Sequence, residues 1–501
     1  MTNRSKTTAW RWARRLLALV LAIAAVVWCG RFAYVRMTVL PPIASPDDLW
    51  ADLARLPPPE PGDATHELAD IVVALTPSPN FTLPDPPDGM MWEGEIPGWS
   101  SGTATLVPSD ALQGPWEPAS RPHLRAVIEH LELPTARASI TKLRELRGYP
   151  FRTHIAFWGP PPPEACPSLP EIRQLAKALV VDARYQHAHR GDVEAAWEDL
   201  KTASWVADGV VAPDVLISLL VRRAIEELWL AELRHLAREC ALPDALVKDM
   251  HRVLCEAPPD RDLWATAIEA EHRANRDIID ASFSRTADGN GWLVLSQQEA
   301  VLDQLGYTAS AGAPRSRLWD LASIFYNDRR TAEQKLDAQI EPLLRAFDGD
   351  YSQLLELTSG KHVMNVLDGR VLNLGYFDLR GAAQMLWGQP MRRQATRAVL
   401  ALNQYKARHG SYPTTLADLV PEFIESVPAD VFGEGPLRYE RTSPDAYLLY
   451  SIGVDGEDDG GERNKAGEVG DFVFSEPRGE PDYEPKLVPA PEEDEAGGFL
   501  R

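Results

Sequence analysis

The chain has 501 residues, 45% of them hydrophobic, and carries a formal net charge of −22 at pH 7. This length leaves room for more than one domain and for a sizeable buried core. The acidic balance makes nucleic acid and anionic membrane surfaces poor partners, so neither class of binding function is expected.

The N-terminus has the pattern of a membrane anchor. The first 36 residues hold seven basic residues and no acidic ones, and an apolar run at 16–35 is long enough to cross a bilayer if Arg31 extends to the interface. Five basic residues precede this run. The positive-inside rule therefore predicts a cytoplasmic tail at 1–15, a single transmembrane helix at 16–35 in the inner membrane, and an extracytoplasmic body.

A cleaved signal peptide is the alternative interpretation of the same run, because its first part, 16–29, also fits the apolar region of such a peptide. Cleavage requires small residues after that region. Bulky or charged side chains stand there instead, at Trp28, Arg31 and Phe32. This favours an anchor that stays in the protein.

Proline marks three further segments. Residues 36–62 include three consecutive prolines at 57–59 and are predicted to form a stiff stalk. Residues 63–165 remain rich in proline, and we interpret them as a segment of loops and helices that wraps around another part of the protein. The acidic stretch 476–501 has no periodicity and is predicted to be a disordered tail.

Residues 166–400 have helical periodicity and are predicted to form one helical domain. Its helices end at Gly191, Pro213 and Pro243, as expected of antiparallel helix pairs. The predicted fold class is therefore mainly α. It consists of the N-terminal transmembrane helix, an irregular antiparallel helical body and a small C-terminal α/β module at 401–475.

The module is predicted from helix-capping residues and from the alternation of apolar and polar residues in its strands. A helix ends at Gly410 after a basic last turn, and Thr415 caps a short helix that follows Pro413. Strands are expected at 437–440 and 446–452, and a third at 471–474.

An acidic, glycine-rich loop separates the last two of these strands. Carboxylates are crowded at 455–462, and they repel one another unless water or a cation neutralises them. Oxygen ligands on a flexible backbone suit calcium. The loop is not an EF-hand, because Ala466 takes the place of the final glutamate. A solvated loop without metal is the alternative.

Three stretches of the module form a specific combination: 402–406 (LNQYK), 410–415 (GSYPTT) and 450–456 (YSIGVDG). Through them the module resembles the C-terminal region of the major pseudopilin of type II secretion systems. It implies a small α/β unit with one structural calcium ion in the acidic loop. The rest of the chain resembles no family that we identify, and it lacks the processing site with which pseudopilins begin.

The resemblance also implies a set of calcium ligands. Asp455 and Asp471 match acidic ligands of the family, and Asp458 and Asp459 are further candidates in the same loop. The family often has a second acidic residue beside the last ligand, where this chain has Gly470.

Four motifs have the spacing of catalytic or metal-binding sites, but none is predicted to lie in the structural context that such a site requires. The G-x-S-x-G pattern at 98–102 lacks the strand and helix that flank a catalytic serine. Two Glu-x-x-His pairs, Glu232 with His235 and Glu269 with His272, match the spacing of di-iron bundles. Both are predicted to lie away from the apolar faces of their helices. His187 and His189 are predicted to lie at an exposed loop end.

Three cysteines, Cys166, Cys240 and Cys255, follow the predicted anchor, so at most one disulfide can form among them. Cys240 and Cys255 are the candidates, across a helix pair. No disulfide is expected, since buried thiols are common.

These observations predict a binding or assembly protein of the cell envelope with a calcium-stabilised module and an unidentified protein partner. No small-molecule substrate or catalytic residue is expected. The alternative is a helical scaffold for a partner protein, with a metal-free module. An enzyme, either a hydrolase or a di-iron protein, is not expected, because the candidate motifs lack the structural context that such sites require.

Overall fold

A computed structural model describes Val26 and residues 63–75, 90–93, 122–153, 166–210, 216–256, 260–294, 327–345, 347–358, 379–462, 464–465, 468–475 and 486–489. The helices are α1 (Thr65–Leu75), α2 (Pro122–Leu131), α3 (Pro134–Leu146), α4 (Leu169–Tyr185), α5 (Val193–Gly209), α6 (Leu216–Glu239), α7 (Asp244–Cys255), α8 (Asp260–Ser282), α9 (Arg329–Leu344), α10 (Tyr351–Thr358), α11 (Leu379–Trp387) and α12 (Gln389–His409). The strands are β1 (Met90–Glu93), β2 (Arg438–Ser443), β3 (Ala446–Ser451), β4 (Asn464–Lys465), β5 (Glu468–Val469), β6 (Phe472–Val473) and β7 (Lys486–Pro489). The protein is mainly helical with a small three-stranded antiparallel sheet, as predicted.

The chain divides into two compact units. One contains the described residues of 264–380, and the other contains those of 57–156, 162–263 and 381–501. This differs from the single helical domain predicted over 166–400. Helical periodicity identifies each helix but not its packing partners, which lie far away in the sequence.

The larger unit, called here the helical unit, is built around α6. Helices α4, α5 and α12 all pack against α6. Apolar side chains of α6, such as Trp229 and Leu233, are fully buried, and so are charged side chains of the same helix, such as Arg222 and Glu226. A helix surrounded on several sides buries polar groups that a one-sided amphipathic helix would expose.

The helix ends follow local sequence signals. Ser168 and Glu171 form a capping box at the start of α4, and Asp192 caps α5 through the backbone N–H of Ala195. Between these helices, Gln186–Arg190 form a single π-helical turn. Gly191 ends this turn in the left-handed region with φ 67°, a conformation that glycine adopts without steric cost.

The segment predicted to wrap around the body contributes helices α1 to α3 to the helical unit. Two ion pairs attach α3 to its neighbours. Arg137 contacts both carboxylate oxygens of Asp182 at 2.7 and 2.8 Å, and Arg144 contacts Asp199 at 2.7 Å. Both aspartates are fully buried. Burial, together with the nearby charge of Asp182, raises the pKa of Asp199 well above its usual value.

The C-terminal module has the elements that the sequence predicts. Helix α12 ends at Gly410, which has φ 79°, and Thr415 begins a short 3₁₀ helix at Leu416–Leu419. The three-stranded sheet has the order β2-β3-β6 and is antiparallel throughout, with Tyr439 opposite Leu449.

A second, two-stranded sheet pairs β1 with β7 in antiparallel register. Strand β7, Lys486–Pro489, lies within the tail predicted to be disordered. The prediction rested on the acidic composition of 476–501. It overlooked the apolar pair Leu487 and Val488, and the backbone of this short run pairs with β1.

The smaller unit has its own core. A cluster between α8 and α9 includes Ile279, Phe283 and Leu336. Trp264 is fully buried, and its indole N–H donates to the carbonyl oxygen of Leu343 at 2.8 Å. These contacts give 264–380 a separate hydrophobic centre.

Within the described part of the chain, no helix combines the length and apolar character needed to span a bilayer. The predicted stalk and all of the predicted cytoplasmic tail lie outside the described residues, and so does the predicted anchor apart from Val26.

Candidate metal centres

The acidic loop follows β3 and returns to the sheet at Asp471. The side chain of Asp471 is 2% exposed. Its N–H donates to the carbonyl oxygen of Glu462 at 2.9 Å, and its Oδ2 accepts from the N–H of Gly461 at 2.6 Å. Gly461, with φ 89°, adopts a backbone conformation that favours glycine. These bonds close the loop around the carboxylate.

The other carboxylate oxygen, Asp471 Oδ1, is buried and has no hydrogen-bond partner. Burial raises the pKa of Asp471, and the nearby charges of Asp458 and Asp459 add to this effect against the backbone hydrogen bonds from Gly461 and Asp459. A buried oxygen with no donor is costly, because it has lost its contacts with water. It is also the kind of atom that a hard cation binds.

The other three predicted ligands have different surroundings. Asp458 accepts from the Tyr450 hydroxyl at 2.9 Å and from Arg438 Nε at 3.1 Å. Asp455 is exposed, and its Oδ1 accepts from the N–H of Glu457 at 3.2 Å. Asp459 is half-buried, and its backbone N–H bonds to the carboxylate of Asp471. The structure therefore brings Asp459 and Asp471 together and pairs Asp458 with a guanidinium.

Asp430 fixes the base of the loop, a role that sequence analysis missed. It is 4% exposed. Its Oδ1 accepts from the Ser451 hydroxyl at 2.7 Å and from the N–H of Phe432 at 3.1 Å, while its Oδ2 accepts from the N–H of Ile452 at 2.9 Å. This one carboxylate ties the turn before β2 to the end of β3, directly before the loop. Its only signal in the sequence is its place shortly before the glycines at 433 and 435.

A second cluster lies in the helical unit. His187, on the π-helical turn, meets Glu232 and His235 of α6. One ligand atom from each lies within 4.8 Å of the others, and no other group of three His, Cys, Asp or Glu side chains in the described ranges meets this criterion. We call this group the histidine–glutamate cluster. The carboxylates of the acidic loop do not converge in this way.

Glu232 is the centre of the cluster. It is 2% exposed, and its Oε1 accepts from Arg184 Nε at 3.0 Å and from His187 Nε2 at 3.2 Å. Its Oε2 accepts from a second nitrogen of Arg184. Burial favours the neutral acid, but the charge and hydrogen bonds of Arg184 and His187 outweigh it and lower the pKa of Glu232 to about 2.

The two histidines differ in their partners. His187 is 8% exposed, and its Nδ1 lies 3.9 Å from Cys240 Sγ. His235 Nδ1 is buried without a hydrogen-bond partner. Burial lowers the pKa of His235 to about 4, and the positive charge of Arg184 adds to this effect against the attraction of Glu232.

These positions correct two predictions. His187 is buried, although it was expected at an exposed loop end, and His235 joins a buried cluster, although it was expected away from the helix packing face. The other Glu-x-x-His pair remains apart from any such group. Glu269 is exposed, and His272 Nε2 contacts Asp337 Oδ1 at 2.8 Å.

The G-x-S-x-G pattern at 98–102 lies outside the described residues. Among the described cysteines, Cys240 and Cys255 are not joined by a disulfide.

Another histidine, His251 of α7, provides a pH-dependent prediction. Burial, together with repulsion from Arg397, lowers the pKa of His251 to about 4 from a usual value of 6.5. Between these two values the unfolded chain binds more protons than the folded one, so this residue reduces stability as the pH falls from 6.5 to 4. Allowing for its partial exposure, we expect the loss to be about 2 kcal/mol.

The measurement compares wild type with His251→Gln by urea unfolding at several pH values. The variant lacks this titration, so its free energy of unfolding should fall less steeply over the same window. Parallel curves for the two proteins would contradict the prediction.

Comparisons with models of protein families, with curated proteins and with solved structures found no match.

Proposed function

We propose that the chain is a membrane-anchored extracytoplasmic protein whose C-terminal module, similar to a pseudopilin headpiece, binds Ca²⁺ for stability and takes part in binding or assembly with a protein partner. The observation that carries the calcium proposal is the buried Asp471, whose Oδ1 has no hydrogen-bond partner.

The order of elements supports this proposal. A long helix ends at Gly410, a capped 3₁₀ turn follows, and an acidic loop connects the second and third strands of the sheet. The pseudopilin resemblance implies the same order. Asp471 and Asp459 suit the ion best, with Asp455 and backbone carbonyls as further oxygen donors.

Calcium would act on stability. An ion that binds only the folded loop stabilises the protein by about 2.7 kcal/mol when its concentration is 100 times its dissociation constant. The bound charge would offset the repulsion among Asp458, Asp459 and Asp471, the first two of which raise the pKa of the third.

A helical scaffold with a metal-free module is the second candidate, and one contact favours it. Arg438 pairs with Asp458 at 3.1 Å and neutralises part of the loop charge without any metal. In this case the module serves only as a folded support for the partner.

Thermal unfolding of the full-length chain in detergent separates the two candidates. With excess calcium, wild type should melt roughly 5 °C higher than with chelator. Asp471→Asn should abolish this difference, since it removes the buried charge that faces the ion.

Asp445→Asn is the matched control, because it makes the same chemical change at an exposed position of the same module. It should keep the calcium response. Equal melting of wild type with calcium and with chelator would reject the calcium proposal and favour the metal-free scaffold.

A further inference from the structure

The histidine–glutamate cluster has the donor set of a transition-metal site. It offers two imidazoles and one carboxylate, from His187, His235 and Glu232. Imidazole nitrogens suit zinc and its neighbours in the first transition series, whereas calcium and magnesium prefer oxygen alone. Two histidines and one glutamate are among the ligand sets that hold zinc with a fourth position open to water.

The distance between His187 and Glu232 fits a tetrahedral ion. With zinc–ligand bonds of about 2.1 Å, neighbouring ligand atoms lie about 3.4 Å apart. His187 Nε2 and Glu232 Oε1 are 3.2 Å apart, joined by a hydrogen bond. An ion that replaces the shared proton therefore requires these two atoms to move apart by only about 0.2 Å.

The backbone brings the third ligand within reach. The π-helical turn at Gln186–Arg190 places His187 inward against α6, where His235 lies one helical turn beyond Glu232. The two imidazole rings have their centroids 5.6 Å apart. Single π-helical turns occur frequently at functional sites.

Surrounding groups would hold the ligands in place. Arg184 contacts both oxygens of Glu232, and the second nitrogen of His187 lies 3.9 Å from Cys240 Sγ. Partners of this kind orient metal ligands. Arg184 also brings positive charge close to the site. This charge opposes weakly bound cations, so only a metal that bonds strongly to imidazole can bind.

We propose that His187, Glu232 and His235 form a Zn²⁺ site with three protein ligands and a water molecule in the fourth position. The site is independent of the calcium loop and of the proposed role of the module. The metal takes the place of the proton on His187 Nε2, and the neutral imidazole then carries its proton on Nδ1, the nitrogen that faces Cys240 Sγ.

Cobalt(II) reports on the site directly, since its visible absorption is much stronger in tetrahedral than in octahedral coordination. Full-length, untagged protein in detergent is stripped of metal and titrated with Co²⁺ in excess Ca²⁺, which keeps the acidic loop from contributing. Wild type should bind one equivalent with tetrahedral absorption, and Zn²⁺ should displace it.

The variants His187→Gln and His235→Gln each remove one ligand. Losing an outer partner of a metal ligand costs roughly 10- to 100-fold in affinity, so we expect at least a 100-fold loss for a ligand itself. His251→Gln is the matched control: it changes a half-buried histidine on α7, outside the cluster, and should bind cobalt like wild type. Asp471→Asn should also leave the spectrum unchanged.

Circular dichroism checks that each variant is folded. The proposal is overturned if wild type binds no cobalt, since the cluster is then a hydrogen-bonded Arg–Glu–His network. It is also overturned if folded His235→Gln binds cobalt with the affinity and spectrum of wild type. Neither result would affect the calcium response of the module.

Discussion

Glu226→Gln is expected to destabilise the helical unit by about 4 kcal/mol, because it removes the buried carboxylate with which two buried arginines pair. Glu226 is fully buried on α6 and forms ion pairs with Arg223 of the same helix and Arg393 of α12. Both arginines are at most 5% exposed. Unfolding in urea, followed by circular dichroism, measures the effect.

The control removes the whole charge group. When a buried ion network is replaced by apolar residues of similar volume, stability is often unchanged or increased. The combined variant Arg223→Met, Glu226→Met and Arg393→Met should therefore be much more stable than Glu226→Gln. If the two proteins unfold at the same denaturant concentration, lost packing, and not uncompensated charge, explains the effect of the single change.

Asp430→Ala is expected to destabilise the C-terminal module by about 3 kcal/mol. The change removes the acceptor for three hydrogen bonds and leaves the N–H groups of Phe432 and Ile452 buried without a partner. Each unsatisfied buried group costs about 1–3 kcal/mol. Because Ile452 leads directly into the acidic loop, we also expect the variant to lose the calcium response. Thermal unfolding with calcium and with chelator measures both effects.

Ser451→Ala separates the two parts of this prediction. It removes the hydroxyl that donates to Asp430 at 2.7 Å and accepts from the N–H of Gly453 at 3.3 Å, and it leaves both backbone bonds to Asp430 in place. A net loss of about 1 kcal/mol is expected, with the calcium response retained. Equal effects of Ser451→Ala and Asp430→Ala would show that the backbone bonds contribute nothing.

Sequence analysis worked best where local signals decide the structure. The cap at Thr415 and the glycine at 410 mark helix ends through their own backbone preferences, and both ends lie where predicted. The three strands of the module follow from alternation and turn residues over short distances. Helix α8, which begins at Asp260 and ends at Ser282, lies within the stretch predicted to be helical.

The histidine–glutamate cluster was not predicted, because it depends on two structural features that the helical periodicity of the sequence does not reveal. The sequence pattern indicates one apolar face on α6, whereas α4, α5 and α12 bury this helix from several directions. His187 was expected at an exposed loop end, whereas it lies on a π-helical turn, which changes the angular position of each side chain. The only signal available in the sequence was the Glu232–His235 spacing.

The acidic loop is an intermediate case. Its position between two strands was predicted and is confirmed. The assignment of Asp471 as a calcium ligand stays a prediction. The pairing of Asp458 with Arg438 and Tyr450 was not, because it depends on the register between β2 and β3. Residues that share a loop in the sequence can therefore have quite different electrostatic surroundings.

Helix α12 connects the buried charges around Glu226 to the C-terminal module. Near its start Arg393 reaches the buried Glu226, and its last turn leads into the module at Gly410. The boundary predicted at residue 400 falls inside this continuous rod of 21 residues. Such a rod is about 30 Å long, so a tilt of about 5° at one end shifts the other by roughly 3 Å. A tilt of α12 near the buried Glu226 would therefore displace the start of the C-terminal module.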